Sequence, residues 1–302
     1  MERGAISVSG LPGGLDLQST LESGQSYGWR RADGRTYETT GSYGGSAWYE
    51  TVENGEVVRA RQRDGRLEWE STTDAVPILT DRLRLDDDVE AIVAATPPDP
   101  LLHEAYETYR GMRITADPFF PTLVAFICSA QMRVARIFAM QRALAERYGE
   151  RVRADGRTYH AFPTPERLAE ATESELRELK LGYRAPYVVE TSRMVASGEL
   201  TPADLPSDYE PAREALTAYP GVGPKVADCV CLFSLGHLEA VPLDTWIRTA
   251  IAEYYPDCDR GSYAETSRAI RERFGPYAGY AQTYVFHHLR HDRAPPVATP
   301  TE

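Results

Sequence analysis

Lysine is almost missing from this chain: Lys180 and Lys225 are the two lysines among 302 residues, so nearly all of the positive charge is arginine. Cysteine is scarce as well. Cys128, Cys229, Cys231 and Cys258 form neither a CxxC pair nor a spaced quartet, which excludes a zinc finger and a four-cysteine iron–sulfur cluster. Four free thiols, buried as small hydrophobes, no metal site and no cofactor are expected. Long apolar runs are absent too: no stretch approaches the roughly 20 apolar residues of a membrane helix. The opening MERGAISVSG does not have the basic-then-apolar pattern of a secretion signal. A cytoplasmic, membrane-free protein is expected. An excess of positive charge is also lacking, since the net charge is -12 and the pI is near 5.1. That balance opposes broad electrostatic attraction to nucleic acid. A lysine-poor, acidic composition resembles that of proteins from salt-adapted organisms such as archaea. There the Debye length falls to about 3 Å at 1 M salt and repulsion from a polyanion is screened. Contacts to such a partner must then be short-ranged, made by backbone amides and close arginines.

What is present suffices for a packed core: 42% of residues are hydrophobic and 26% charged. Asp33-Gly34, Asn54-Gly55 and Asp64-Gly65 separate alternating stretches such as 47–52 and 57–60, the signature of β-hairpins. From Ile78 the spacing turns helical. Leu123, Phe126, Ile127 and Ala130 follow i, i+3, i+4, i+7, and segments 165–180 and 186–197 read similarly. The expected fold class is α+β. An N-terminal antiparallel sheet domain of the TATA-binding-protein type spans 1–77, a helical body in two lobes with the active site between them spans 78–292, and 293–302 is a disordered tail.

The chemistry concentrates in 211–255. Pro211 suits the first turn of a helix with Ala212, Ala215, Leu216 and Tyr219 on its apolar face, stopped at Pro220-Gly221. Gly221-Val222-Gly223-Pro224-Lys225 then forms a tight glycine turn, and Pro224 starts a second helix reaching about Leu235. This is a helix-hairpin-helix. Its two glycines admit close approach, and the turn and the helix N-terminus offer amides to an anion such as a DNA phosphate. Lys225 lies in the first turn of the second helix, with Cys229 and Phe233 at i+4 and i+8 on the same face. Nineteen residues after Lys225, the extended Val241-Pro242-Leu243 delivers Asp244 to the N-cap of a third helix bearing Ile247, Ala250, Ile251 and Tyr254.

GVGPKVADC followed by AVPLD resembles the signature of helix-hairpin-helix DNA glycosylases, and most closely the 8-oxoguanine DNA glycosylase family. LESGQSYGWR (21–30), FICSAQMRVARI (126–137), LGYRAPYV (181–188) and FGPYAGYAQTYVF (274–286) resemble that family's segments in its order, so the similarity spans 15–291. The resemblance implies a monomeric, nucleoid-associated glycosylase and abasic-site lyase that flips an oxidised purine out of double-stranded DNA. Relatives that only hydrolyse the glycosidic bond lack a lysine at position 225. By the same resemblance Lys225 attacks C1′ and Asp244 stabilises the cationic sugar and orients Lys225. Phe286 and Cys229 sandwich the base, with Phe233 and Pro242 beside them. Gln282 reads its Watson–Crick edge, and the Gly24 carbonyl accepts the extra N7 proton. Tyr183 and Arg184 wedge into the duplex and meet the orphaned cytosine. Gly221, Val222 and Gly223 hold phosphate, while Gln131, Arg133 and Arg136 lie against DNA.

Two positions depart from the family pattern. Gln131-Met132-Arg133 replaces a run of asparagines that fills the gap left by the extruded base, and Trp246 stands where a histidine commonly follows the aspartate. Opposite-base selectivity is therefore open, as is the choice between Gln131 and Arg133 as gap filler. Three other readings share parts of the pattern: a same-fold glycosylase for an alkylated purine, a lyase acting chiefly on abasic sites, and a non-catalytic DNA-binding module.

Overall fold

The computed structural model describes residues 1–35 and 46–292, so the expected tail at 293–302 lies outside the described residues. The N-terminal third is one antiparallel sheet in the order β1-β5-β4-β3-β2, formed by β1 (Glu2–Ser7), β2 (Arg30–Arg31), β3 (Tyr49–Glu53), β4 (Glu56–Arg63) and β5 (Arg66–Ser71). Its register follows from two type I′ turns. Asn54 and Gly55 take φ 50° and 82°, and Asp64 and Gly65 take φ 49° and 71°, the twist that matches right-handed strands. The alternation expected over 47–52 becomes regular strand only from Tyr49.

Helix α1 (Leu17–Glu22) is inserted between β1 and β2 and is fixed to the sheet through a buried carboxylate. Glu22 Oε1 accepts from Arg31 Nη1 at 2.7 Å and from the Tyr49 hydroxyl at 2.7 Å. Leu17, Leu21, Trp29, Tyr49, Val58, Leu67 and Trp69 form the core under this sheet, closed by Leu79, Leu83 and Leu85 at and after α2 (Val76–Arg82).

The body continues with α3 (Val89–Ala95), α4 (Pro100–Thr108), α5 (Phe119–Ser129) and α6 (Val134–Tyr148). Helix α5 is mostly apolar, and it is buried without a break from Thr122 to Cys128. Ala130, expected on its buried face, is instead exposed beyond its C-terminus. A second hairpin, β6 (Arg151–Ala154) and β7 (Arg157–His160), interrupts the helices where only helix was expected. Its Asp155-Gly156 turn, at φ 49° and 70°, is the same signal that marked the sheet hairpins.

The segment expected as one helix over 165–180 is broken into α7 (Pro165–Ala169) and α8 (Glu173–Glu178). Thr172 and Glu175 form a reciprocal capping box that starts a new helix. Then follow α9 (Ala185–Ser197), α10 (Tyr209–Leu216), α11 (Pro224–Phe233), α12 (Thr245–Tyr254), α13 (Tyr263–Phe274) and α14 (Ala278–Asp292). Pro211 is the third residue of α10 and lies in its first turn, as expected. Tyr254, expected on the buried face of α12, is 40% exposed, and Tyr255 takes the core position. The four cysteines are free and buried. Among the described residues no helix is long and apolar enough to cross a membrane.

Candidate active site

The site forms where α11 and α12 meet α5, the 23–26 turn and α14. Lys225 is in the first turn of α11, where the amides have no intrahelical acceptor. Its Nζ donates to Ser129 Oγ at 3.1 Å and lies 5.3 Å from the centre of the Phe126 ring. The Phe126 ring stacks on Phe233 at 5.6 Å and 19°, so Phe233 is a wall of the core under the amine. Cys229, one turn after Lys225, is buried. Desolvation pushes its thiol up to about 12, the nearby Lys225 charge opposing the rise.

Asp244 caps α12 as its position demanded, accepting the Ile247 amide at 2.8 Å. Its carboxyl lies above the usual range because burial disfavours the anion. Lys225, the Ile247 and Trp246 amides and Arg290 pull in the opposite direction. Lys225 and Asp244 thus share one electrostatic neighbourhood. The extended 241–243 stretch that delivers Asp244 is buried, Pro242 included.

Chain segments more than 250 positions apart converge on the other wall. Gly24 adopts φ 87°, and a methyl group added to it would stand 3.6 Å from Phe286 Cε1 and 3.1 Å from Arg290 Nη1. The turn is locked on both sides. Gln25 bridges the Thr20 carbonyl at 2.8 Å and the Arg113 carbonyl at 2.7 Å, and Arg290 Nη2 donates to the Glu22 carbonyl at 2.7 Å. Gln282, Phe286 and Arg290 follow i, i+4, i+8 along α14. Gln282 is buried, with Oε1 accepting from Thr283 Oγ1 at 3.2 Å. Phe286 is half-buried beneath the Arg290 guanidinium, 5.6 Å from its ring centre.

The hairpin is open to solvent at Gly221, Gly223 and Pro224, while Val222 is buried and its amide donates to the Tyr219 carbonyl at 3.1 Å. Gly221 has φ 79°, and a Cβ there would fall 2.7 Å from the Tyr187 ring. Tyr183 projects beside it, 55% exposed. Gln131, Arg133 and Arg136 are exposed around the N-terminus of α6, with Gln131 at φ 54°. Arg184, expected to reach outward, is folded inward. It is 2% exposed, lies 4.2 Å from the Tyr183 ring centre and donates Nη2 to the Ala130 carbonyl. Trp246 is half-buried near the start of α12. Ser129 and Arg290 were not among the residues expected at the site. Ser129 lies inside the family-like 126–137 segment, and Arg290 continues the spacing of Gln282 and Phe286 by one more turn. Among the described residues no group of three or more His, Cys, Asp or Glu is placed to hold a metal ion.

The family model "8-oxoguanine DNA glycosylase, N-terminal domain" matches residues 11–123, and "HhH-GPD superfamily base excision DNA repair protein" matches residues 124–276. An N-glycosylase/DNA lyase of Saccharomyces cerevisiae is 31% identical, covering 90% of this chain and 82% of that protein. A probable N-glycosylase/DNA lyase of Methanothermobacter thermautotrophicus is 33% identical over 64% of this chain and 68% of its own. The 8-oxoguanine glycosylase/lyase of Clostridium acetobutylicum, solved with double-stranded DNA containing cytosine opposite 8-oxoguanine, superposes with a TM-score of 0.80. It is 28% identical, over 91% of this chain and 92% of that one. The chain therefore belongs to the 8-oxoguanine DNA glycosylase family of the HhH-GPD base excision repair superfamily.

Proposed function

We propose that this protein excises 8-oxoguanine from double-stranded DNA and then cleaves the strand as an abasic-site lyase, with Lys225 as the nucleophile. The observation that carries the reading is Lys225 itself, in the first turn of α11 beside Asp244 and above Phe126. The amine attacks C1′ of the flipped nucleotide. The glycosidic bond breaks, and its electron pair leaves on the base nitrogen, which takes up a proton. Asp244 stabilises the cationic character that develops on the sugar. Opening of the ring at O4′ gives an imine between Lys225 and C1′. Loss of a C2′ proton then expels the 3′ phosphate by β-elimination, and water returns the free lysine.

Recognition is divided among the groups gathered on the two walls. Phe286 stacks on one face of the base and Cys229 meets the other, with Phe233 and Pro242 behind them. The Gly24 carbonyl accepts the N7 proton that guanine lacks, and Gln282 bonds the Watson–Crick edge. The hairpin amides of Gly221, Gly223 and Lys225 hold a phosphate without side-chain charge, the Val222 amide being committed to the Tyr219 carbonyl. Exposed Tyr183 wedges into the stack, and Gln131, Arg133 and Arg136 face the DNA around the gap. Arg184, folded against Ala130, must turn outward to meet the orphaned base. No cofactor is required, and the protein acts as a monomer. The acidic, lysine-poor surface suits a salt-rich interior, where the hairpin grip remains effective.

The test is borohydride trapping on a duplex carrying 8-oxoguanine opposite cytosine, beside an undamaged duplex, an abasic duplex and one carrying 3-methyladenine. A covalent adduct and strand cleavage on the 8-oxoguanine duplex are expected. Base release only from 3-methyladenine, or adduct only on the abasic duplex, would overturn the substrate.

A further inference from the structure

Lys225 and Asp244 arrive on different pieces of chain, one on α11 and the other at the end of an extended segment. A buried hydrogen-bond chain connects the two. Asp228, three positions after Lys225 on α11, is fully buried. Its Oδ1 accepts from the Tyr209 hydroxyl at 2.6 Å and its Oδ2 from the Tyr263 hydroxyl at 2.7 Å. The Tyr263 oxygen in turn accepts the Leu243 amide at 3.1 Å. Leu243 is itself 3% exposed and immediately precedes Asp244. A buried amide on an extended segment needs an acceptor, and the phenol oxygen supplies it.

The carboxylate sits in a charged frame that keeps it in place. Arg213 and Arg271 both attract Asp228, Arg271 is tied to Glu210 at 2.6 Å, and the two guanidiniums lie 5.5 Å and 4.8 Å from the Tyr209 ring centre. Both phenols point their protons at Asp228, so the Tyr263 oxygen is left free to accept from Leu243. The direction of the chain is therefore set by the carboxylate. Tyr209 anchors the same carboxylate to α10 but has no bond to the 241–244 segment among those described.

We propose that Asp228 and Tyr263 are positioning residues that set Asp244 against Lys225, acting through the Leu243 amide. The inference rests on the reading of Lys225 and Asp244 as the catalytic pair. A misplacement of about 1 Å at such a pair costs on the order of 100-fold in rate.

The test compares Tyr263→Phe with Tyr209→Phe. Each removes one phenol donor from the same carboxylate, so each is expected to lower the melting temperature by about 2 to 6 °C. Only Tyr263→Phe also releases the Leu243 amide. Its single-turnover rate of 8-oxoguanine release, and of borohydride trapping on a preformed abasic duplex, is expected to fall about 10- to 100-fold below that of Tyr209→Phe. Affinity for the lesion duplex, measured with Lys225→Gln present, should stay the same in both. Rates that differ by less than about 10-fold between the two folded variants overturn the proposal. If Tyr263→Phe does not fold, Asp228→Asn takes its place against Tyr209→Phe with the same expected split. A wild-type protein that traps abasic DNA but releases no 8-oxoguanine would overturn the substrate reading alone, because the abasic comparison still decides the positioning role. Inactivity on both substrates would overturn the two together.

Discussion

Lys225 Nζ donates to the hydroxyl of Ser129 at 3.1 Å, across 96 positions of sequence. The bond fastens the first turn of the hairpin helix to the last turn of the central apolar helix, with the amine poised over Phe126. Replacing Lys225 by Gln is expected to abolish the borohydride adduct and strand cleavage while lesion binding survives, because the hairpin amides are untouched. Ser129→Ala removes only the tether and should slow adduct formation by no more than about 10-fold, given a net worth near 1 kcal/mol for one such hydrogen bond. An adduct formed by Lys225→Gln would show that the nucleophile is another group.

The two hairpin glycines differ in what they require. At Gly221 the positive φ of 79° excludes a side chain, and so does the Tyr187 ring, which would lie 2.7 Å from a Cβ. Gly223 is extended, at φ -95° and ψ 179°, and a methyl there meets nothing within 4 Å. Gly221→Ala should cost about 1–3 kcal/mol of stability and weaken binding to damaged and undamaged duplex alike. Gly223→Ala should change stability by less than about 0.5 kcal/mol. Melting curves of the two variants side by side check this, and equal losses would contradict it.

Phe286 is half-buried, with Gly24 against its edge and Arg290 over its face. Phe286→Ala is expected to lose about 1–3 kcal/mol of affinity for the lesion duplex while affinity for undamaged duplex is nearly unchanged. Titration of both duplexes separates the roles, since equal losses on the two would mean that the ring supports the fold.

Two buried carboxyls carry a pH signature. Burial lifts Asp117 from the ordinary 3.8 to about 7, against the attraction of Arg82, and lifts Asp228 to about 6, against its phenol donors. Both folded values lie above the unfolded one. Between about pH 4 and pH 7 the folded protein therefore holds a proton that the unfolded chain has released, and this contribution to stability falls as pH rises. It levels off above pH 7. Asp117→Asn should gain on the wild type through that window, by at most on the order of 4 kcal/mol at pH 8. Thermal melting of both from pH 4 to 8 reads the difference, and a variant that does not gain on the wild type as pH rises would refute the assignment.

Salt should act weakly on binding. A protein that neutralises six to ten phosphates with Lys and Arg loses about three to five decades of affinity between 50 and 200 mM salt. With a net charge of -12 and a grip led by backbone amides, this protein should show a shallow or non-monotonic dependence. Its folded state should be favoured by high salt because the carboxylates repel one another. Lesion binding from about 0.1 to 3 M salt, with folding followed in parallel, tests the argument. A steep monotonic loss in folded protein would instead reveal a localised basic face.

Where chemistry is local in sequence, the chain announced it. Gly221 to Lys225 is a turn whose φ values and helix start are dictated by its own residues, and Asp244 caps the helix that follows it for the same reason. The Asn54-Gly55 and Asp64-Gly65 hairpins likewise belong to the dipeptides that make them. The missed β6–β7 hairpin was legible in Asp155-Gly156, and the break at Thr172 in its capping box with Glu175. The rest is decided by tertiary packing, because burial and long-range hydrogen bonds depend on which segments meet. Nothing near Gly24 specifies Phe286 and Arg290 as its neighbours, and nothing near Asp228 specifies Tyr263 and, through it, Leu243. Arg184 turns inward because the exposed α5–α6 loop offers it the Ala130 carbonyl, and Lys225 rests on Ser129 because α5 runs through the centre of the body. Residue types named the chemistry available to the chain, whereas the distances at which those groups act were set by the core that gathers them.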